Sequence, residues 1–462
     1  MLAVEQLHYR HAHAERRALE GIDFHLDQGE CLVVCGHSGS GKSTLLAILA
    51  GLAPHYFKGE LSGRIRLDGE EPGLMSLREW GFRVSLMMQN PEAQFLAGTV
   101  EDEISLSLRC RGFPALEAEE LSSRQVERFE LEAIRSQSVF QLSEGQKQKV
   151  VLAALTAVKP KLLLLDEPSA NLDPDSTAEL GLVLKQLKDD GLTLVIADHR
   201  LAWLNDLGDR TLVLKGGRIA ARGDWEILGD ETLRRELGLR SVTPPPPVKP
   251  AASAAVQQKR AVVVKDLSFA YPGQAEIIAG FNAEIKLGRV TILTGPSGRG
   301  KTTLARILCG LEKPACGRIE FDDQSEAARA TGHVVLQNAD HQLYMPSVQA
   351  ETELGLSGGV RRKANAAEAL AVLADFGLEH LAERHPQSLS GGEKQRLVVA
   401  VATAGPASLL ILDEPTSGLD GQSLDLMAKQ IRRLAEKGLA VLVITHDLEL
   451  AHLCGDEFMT LD

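Results

Sequence analysis

The 462-residue sequence contains no apolar run near the 18 residues that a membrane-spanning helix needs. Its first residues, "MLAVEQLHYRH", lack the apolar stretch of a secretion signal. The six cysteines (Cys31, Cys35, Cys110, Cys309, Cys316 and Cys454) show neither paired nor zinc-site spacing, the usage of a reduced, cytosolic protein. A basic excess is also missing. The formal net charge is −13, so binding to nucleic acid gains little electrostatic help from the chain as a whole. What remains is ordinary for a soluble globular protein, with 44% hydrophobic and 24% charged residues. The length predicts two domains.

An internal repeat with a period of about half the chain supports that expectation. "GHSGSGKST" at 36–44 returns as "GPSGRGKTT" at 295–303, and "LMMQNPEAQF" at 86–95 as "VLQNADHQLY" at 335–344. "LLLLDEPSANLD" at 162–173 returns as "LLILDEPTSGLD" at 409–420. "VIADH" at 195–199 returns as "VITHD", shifted by one residue so that His199 matches His446. The common order implies a tandem duplication. We expect one domain over 1–240 and a second over 262–462. Between them, residues 241–261 read "SVTPPPPVKPAASAAVQQKRA", an extended, coreless linker.

Each half alternates short apolar runs with helical stretches, the pattern of an α/β fold with parallel strands and crossover helices. "CLVVC" (31–35) and "VTILT" (290–294) are expected as buried strands that feed glycine loops, and "LLLL" (162–165) and "TLVIA" (193–197) as further strands.

The loops fit the phosphate-binding pattern Gly-x4-Gly-Lys-Ser/Thr. One has Gly36, Ser38, Gly39, Gly41, Lys42, Ser43 and Thr44; the other has Gly295, Ser297, Gly298, Gly300, Lys301, Thr302 and Thr303. Glycines let backbone N–H groups wrap a phosphate chain at a helix N-terminus. The lysine reaches the β- and γ-phosphates, and Ser43 or Thr302 holds Mg²⁺. Asp166 and Asp413 end apolar strands and supply the acid on the Mg²⁺ side. The adjacent Glu167 and Glu414 are placed to orient or deprotonate an attacking water. Two such sets point to a nucleoside triphosphate with Mg²⁺ as the ligand, a class that kinases, GTPases and motors share.

Two glycine-rich phrases narrow the class. "LSEGQKQ" (142–148) and "LSGGEKQ" (389–395) each place their serine, Ser143 or Ser390, 23 residues before the strand-end aspartate. Such stretches open helices and present N–H groups and a hydroxyl to an anion. Another "LSGG" at 356–359 has different spacing and reads as a loop.

On these residues the chain resembles a tandem nucleotide-binding-domain protein of the ATP-binding cassette (ABC) family, over nearly all of both halves. The resemblance implies two P-loop domains, each with a mostly parallel sheet, an antiparallel β subdomain and a helical signature subdomain. It also implies pairing of the two halves, each ATP lying between one P-loop and the other half's signature, Ser143 and Gly145 or Ser390 and Gly392. Gln89 and Gln337 resemble the Gln-loop residues that ligate Mg²⁺ and sense a transporter. Asp173 and Asp420 resemble the D-loop acids, and His199 and His446 the switch histidines. Tyr271 resembles the aromatic that stacks on adenine. In the first half His11 aligns with Tyr271 and Tyr9 with Phe269, so either His11 or Tyr9 fills that role. A metal site at His8, His11 and His13 is disfavoured, because no acidic or cysteine partner is nearby.

Within the family, a non-transporting type acting on the ribosome also carries two cassettes on one chain and stays an alternative, although it normally joins them by a long charged helical arm and not by a short proline-rich linker. Zinc-type cysteine clusters of a repair ATPase are missing. An importer ATPase with separate membrane subunits, at the cytoplasmic face of the cell membrane, is favoured. "QNPEAQF" followed by "TVEDEISLSL" resembles the energy-coupling-factor group, which takes up vitamins and metal ions; a duplicated sugar-importer ATPase is the alternative. Glu101, Asp102, Glu103, Glu351 and Glu353 either receive basic coupling helices or simply suit a helix start. Glu144, where the other phrase has Gly391, is expected to turn its carboxylate away from phosphate.

Overall fold

The computed structural model describes residues 1–243, 260–273, 275–296, 298–321, 332–357, 365–405 and 407–461. Most of the expected linker, Ser297 and the second half of the 356–359 phrase lie outside them. The chain divides into two units, Met1–Thr243 and Pro244–Asp462.

In the first unit the strands are β1 (Leu2–His11), β2 (Leu19–Leu26), β3 (Cys31–Gly36), β4 (Gly59–Leu67), β5 (Val84–Met87), β6 (Leu162–Asp166), β7 (Thr193–Ala197), β8 (Arg210–Lys215) and β9 (Arg218–Asp224). Its helices are α1 (Lys42–Leu49), α2 (Leu77–Trp80), α3 (Val100–Cys110), α4 (Ala115–Arg128), α5 (Glu144–Thr156), α6 (Pro174–Asp189) and α7 (Glu231–Glu236). Strands β5-β6-β7-β3-β8 form a parallel sheet with antiparallel β9 at its edge, and β2-β1-β4 form a separate antiparallel sheet.

The second unit repeats this plan. Its strands are β10 (Arg260–Ala270), β11 (Glu276–Lys286), β12 (Val290–Thr294), β13 (Cys316–Phe321), β14 (Gly332–Val335), β15 (Leu409–Asp413), β16 (Ala440–Ile444) and β17 (Glu457–Thr460). Its helices are α8 (Lys301–Leu308), α9 (Val348–Ser357), α10 (Ala366–Asp375), α11 (Gly391–Ala404), α12 (Gly421–Glu436) and α13 (Leu448–Cys454). The parallel sheet runs β14-β15-β16-β12-β17, and the antiparallel one β11-β10-β13. The 356–359 phrase departs from the expected loop: Leu356 and Ser357 finish α9, with the Ser357 hydroxyl bonded to the Leu354 carbonyl at 2.7 Å.

The central strands are continuously apolar because both faces of the sheet are covered. Cys31, Val33, Leu163 and Leu165 enter a core shared with α3, α4 and α5. Leu32, Val34, Leu162 and Leu164, alternating with them, enter a second core shared with α1 and the antiparallel sheet. In the second unit Val441 and Val443 face one core, and Ala440, Leu442 and Ile444 the other. Each fully buried leucine contributes about 1.5–3 kcal/mol. Buried strands of this kind fix their C-terminal ends, where the chemistry-bearing residues emerge.

Candidate functional site

Strand β3 delivers Gly36 to a loop that re-enters the fold as α1 at Lys42. Gly36 has φ +141°, and a Cβ there would stand 2.1 Å from the Leu214 carbonyl oxygen; Gly295 has φ +144° and the same conflict, at 2.2 Å, with Leu461. Only glycine permits that approach. Gly39, Gly41, Gly298 and Gly300 also have positive φ, and Ser38 beside Gly39 is exposed.

Lys42 is buried, and its Nζ donates to the Gly36 and His37 carbonyls, both at 3.0 Å. Lys301 does the same to Gly295 (2.6 Å) and Pro296 (2.8 Å). The Ser43 hydroxyl donates to Asp166 Oδ1 at 3.1 Å, and the Thr302 hydroxyl to Asp413 Oδ2 at 2.6 Å. A hydroxyl beside a carboxylate is an oxygen donor set suited to a hard divalent cation. Burial pushes Asp166 up to about 6, aided by the Glu167 and Asp198 charges and opposed by Ser43 and Lys42. Asp413 is likewise raised by burial.

Glu167 and Glu414 both take the left-handed conformation, φ +48°, costly for a non-glycine residue and characteristic of functional sites. Their N–H groups are held by the Ala197 and Ile444 carbonyls at 2.7 and 2.9 Å. The Glu167 carboxylate meets His199 Nε2 at 3.2 Å and Gln89 Nε2 at 2.7 Å. Burial raises its pKa, but the hydrogen bond and charge of His199, with Lys42 and Gln89, outweigh that and hold it low. Glu414 is braced otherwise, by the Thr445 hydroxyl and the His446 N–H, both at 3.1 Å, with His446 Nε2 at 3.8 Å. Among the described residues Gln337 makes no bond matching that of Gln89.

Strand register confirms the one-residue shift. Asp166 pairs with Ala197 and Asp413 with Ile444, so His199 and His446 stand two residues beyond equivalent points. The acid beside each histidine has changed sides. Asp198, just before His199, accepts the Ser169 N–H at 3.3 Å; Asp447, just after His446, accepts the hydroxyl of the matching Thr416 at 2.8 Å.

Each signature phrase is a capping box. The Ser143 hydroxyl caps the Gln146 N–H while the Gln146 side chain accepts the Ser143 N–H at 3.0 Å; Ser390 and Glu393 repeat the exchange. A Cβ on Gly145 would come within 3.0 Å of Ser176, and one on Gly392 within 3.4 Å of Leu419, whereas around Gly391 nothing lies within 4 Å. The position of Glu144 is thus the open one. Its carboxylate binds Lys147 Nζ at 2.8 Å on its own helix. Asp173 and Asp420 N-cap α6 and α12 through the Ser176 and Ser423 N–H groups.

Tyr9 is excluded as a stacking surface. It is fully buried, and its hydroxyl donates to the Phe57 carbonyl at 2.8 Å. His11 is exposed, with Nε2 3.4 Å from the Thr44 hydroxyl, and Tyr271 stands equivalently 3.3 Å from Thr303. Tyr9 and Phe269 support these rings edge-on, at centroid separations of 4.9 Å.

The acids after the Gln-loops also need correction. Glu103 and Glu351 are buried and hold backbone: Glu103 accepts the N–H groups of Leu96 (2.8 Å) and Ala97 (2.7 Å), and Glu351 those of Tyr344 (2.9 Å) and Met345 (2.7 Å). Glu101 pairs with Arg135, Asp102 caps α3 with Thr99, and Glu353 accepts from Gln349. Glu101 is thus already paired, whereas Asp102 and Glu353 accept only from neutral donors and fit either expected reading. The same turn hides a role that the pattern alone did not reveal. Gln94 spans it by accepting the Met88 N–H (2.7 Å) and donating to the Leu86 carbonyl (2.9 Å), as Gln342 does with Leu336 and Val334. Its recurrence in both repeats was the available signal.

The ABC transporter family model matches residues 19–170 and again 278–417. The chain belongs to the ABC transporter family. A Treponema denticola protein provisionally named as an ABC transporter ATP-binding protein is 35% identical, over 97% of this chain and 93% of its own length. A Bacillus subtilis protein provisionally named as an HMP/thiamine import ATP-binding protein is 34% identical, over 100% and 90%. Among solved structures, a model of ribosome-bound archaeal Pelota and ABCE1 matches with a TM-score of 0.71 at 23% identity, over 99% of this chain and 76% of that one. RNase-L inhibitor matches with 0.66 at 23%, over 99% and 87%. At that identity the structural likeness is one of fold. As a member of this family with two cassettes, the protein is an ATPase.

Proposed function

We propose that this ABC ATPase energises a membrane importer of the energy-coupling-factor type, serving uptake of a vitamin or a metal ion. The observation that carries this reading is the Gln-loop turn of the first unit. Gln89 contacts the catalytic candidate Glu167, and the clamped turn beyond it presents exposed Met88 and Leu96. The second unit presents Tyr344 at the position of Leu96. No helix among the described residues is long and apolar enough to cross a membrane, which supports a transport path supplied by other chains. The import role named for the Bacillus subtilis relative supports a vitamin or its precursor as cargo.

Lys42 and Lys301 with their loop N–H groups would hold the phosphates of ATP, and Ser43, Asp166 and Gln89, or Thr302, Asp413 and Gln337, a Mg²⁺ ion. The ion supplies charge neutralisation between the phosphates when bound. Glu167 and Glu414, oriented by the partners above, accept the proton of the attacking water. His199 and His446 sit beside them to donate toward the γ-phosphate. Ser143, Gly145, Ser390 and Gly392 would complete each other half's ATP site, so that ATP favours pairing of the halves and hydrolysis releases it. Tyr271 and His11 would stack on adenine.

The test is purification of the chain from detergent-solubilised native membranes. An integral membrane protein is expected to co-purify, and to be lost in Leu96→Asp/Tyr344→Asp while ATPase activity persists. Recovery of ribosomal subunits instead would overturn the importer reading.

A further inference from the structure

Lys147 lies in the first turn of α5, one turn past Ser143, with its N–H bonded to the Ser143 carbonyl at 2.9 Å. Its side chain is only 8% exposed. A buried ammonium is costly unless paired, and Lys147 has two carboxylates. One is Glu144 at 2.8 Å; the other is Glu92, from the Gln-loop turn. That turn is stiff: Asn90 caps the Glu92 N–H at 3.0 Å, and Gln94 clamps its two ends. In the second unit Lys394 repeats the link, to Asp340 at 2.7 Å and, in place of a second acid, to Gln387 Oε1 at 3.0 Å.

We propose that Lys147 and Lys394 are positioning residues that lock the start of each signature helix to the Gln-loop turn of the same unit, with Glu144 as a second anchor for Lys147. In the first unit the contacts run unbroken from Glu167 through Gln89 and the clamped turn to Glu92, Lys147 and Ser143. A displacement of the turn is thereby carried to the signature serine. Glu144 is tolerated inside the signature because its position is open and its charge is neutralised by Lys147. The link rests on the ATPase reading for its consequence, since it acts by placing Ser143 and Gly145, but not on the importer reading.

The decisive experiment is hydrogen exchange on the isolated full chain, with ATPase kinetics alongside. Glu92→Gln and Glu144→Gly, neither at a buried position, are each expected to speed exchange at amides 145–148 about threefold, and Lys147→Met about tenfold. Glu92→Gln/Lys147→Met should exchange no faster than Lys147→Met alone, the signature of one shared interaction. In turnover, Lys147→Met should lower kcat at least about threefold with the KM for ATP within about twofold. In a Glu144→Gly background, which removes the acid that would repel the new carboxylate, the swap Glu92→Lys/Lys147→Glu should recover half of the loss that Lys147→Met shows there, which a merely structural lysine would not show. Wild-type exchange in both Glu92→Gln and Glu144→Gly, additive effects in the double variant, or no rescue by the swap would each overturn the proposal. If Lys147→Met does not fold, Glu92→Gln and Glu144→Gly decide. The importer reading fails separately, on co-purification, so the two outcomes do not confound each other.

Discussion

Gln89 Nε2 lies 2.7 Å from Glu167 Oε2, whereas the matching glutamate of the second unit, Glu414, receives the Thr445 hydroxyl at 3.1 Å. The two catalytic candidates are therefore oriented by different donors. Thr445→Val keeps the shape and removes the donor. A hydrogen bond to a charged group is worth about 1.5–3 kcal/mol, so turnover by the second unit should fall by about tenfold or more. Measuring in a Glu167→Gln background silences the first unit. An unchanged rate there would mean that the His446 N–H suffices to hold Glu414.

Glu167→Gln and Glu414→Gln should each depress ATP hydrolysis, because both units bring together lysine, hydroxyl, aspartate, glutamate and histidine. Loss of a general base costs about 10²–10⁴-fold at the affected site. Steady-state phosphate release measures it. If either variant retained full turnover, that unit would be a non-catalytic partner.

Glu103 and Glu351 should matter for stability, and Glu101 should not. Glu103→Gln weakens a buried carboxylate that holds two backbone N–H groups, at a cost of about 1–3 kcal/mol. Glu101→Gln breaks a surface pair with Arg135 and should cost less than about 1 kcal/mol. Thermal unfolding should thus show a Tm lower by several degrees for the first and nearly unchanged for the second.

Asp166 gives stability a pH dependence of unusual sign. Burial holds its folded pKa at about 6, above its unfolded value near 3.8. The native state then binds the proton more tightly than the unfolded state between those values. Stability from this group is complete below the unfolded pKa and falls as pH rises through 6, a change of roughly 3 kcal/mol. In divalent-free buffer, Asp166→Asn should raise Tm by about 5 °C or more at pH 7.5 and leave it unchanged at pH 4. Equal shifts at both values would contradict burial as the cause.

Much of this protein is local enough to read from the chain. The P-loop glycines announce themselves because Gly36 and Gly295 stand where any Cβ would strike backbone. The apolar runs announce buried parallel strands because both sheet faces are covered, and the repetition of motifs announces two cassettes. Residues whose work depends on distant partners were not legible in that way. Between His11 and Tyr9 as the candidate ring for adenine, it is the burial of Tyr9, with its hydroxyl against the Phe57 and Lys58 carbonyls, that leaves His11 as the accessible one. In the sequence the acids of "VEDE" read together, as partners of basic helices or as a helix start, yet the helix turned Glu103 inward while Glu101 and Asp102 stayed near solvent. Glu144 stood out in the sequence only as the residue that the other signature replaces with Gly391. Its meaning emerged only once α5 and the Gln-loop turn met, because an ion pair across 55 residues of sequence leaves no local spacing to detect. Backbone conformation is dictated by neighbours in the chain; which carboxylate is buried, and by whom it is neutralised, is decided by packing.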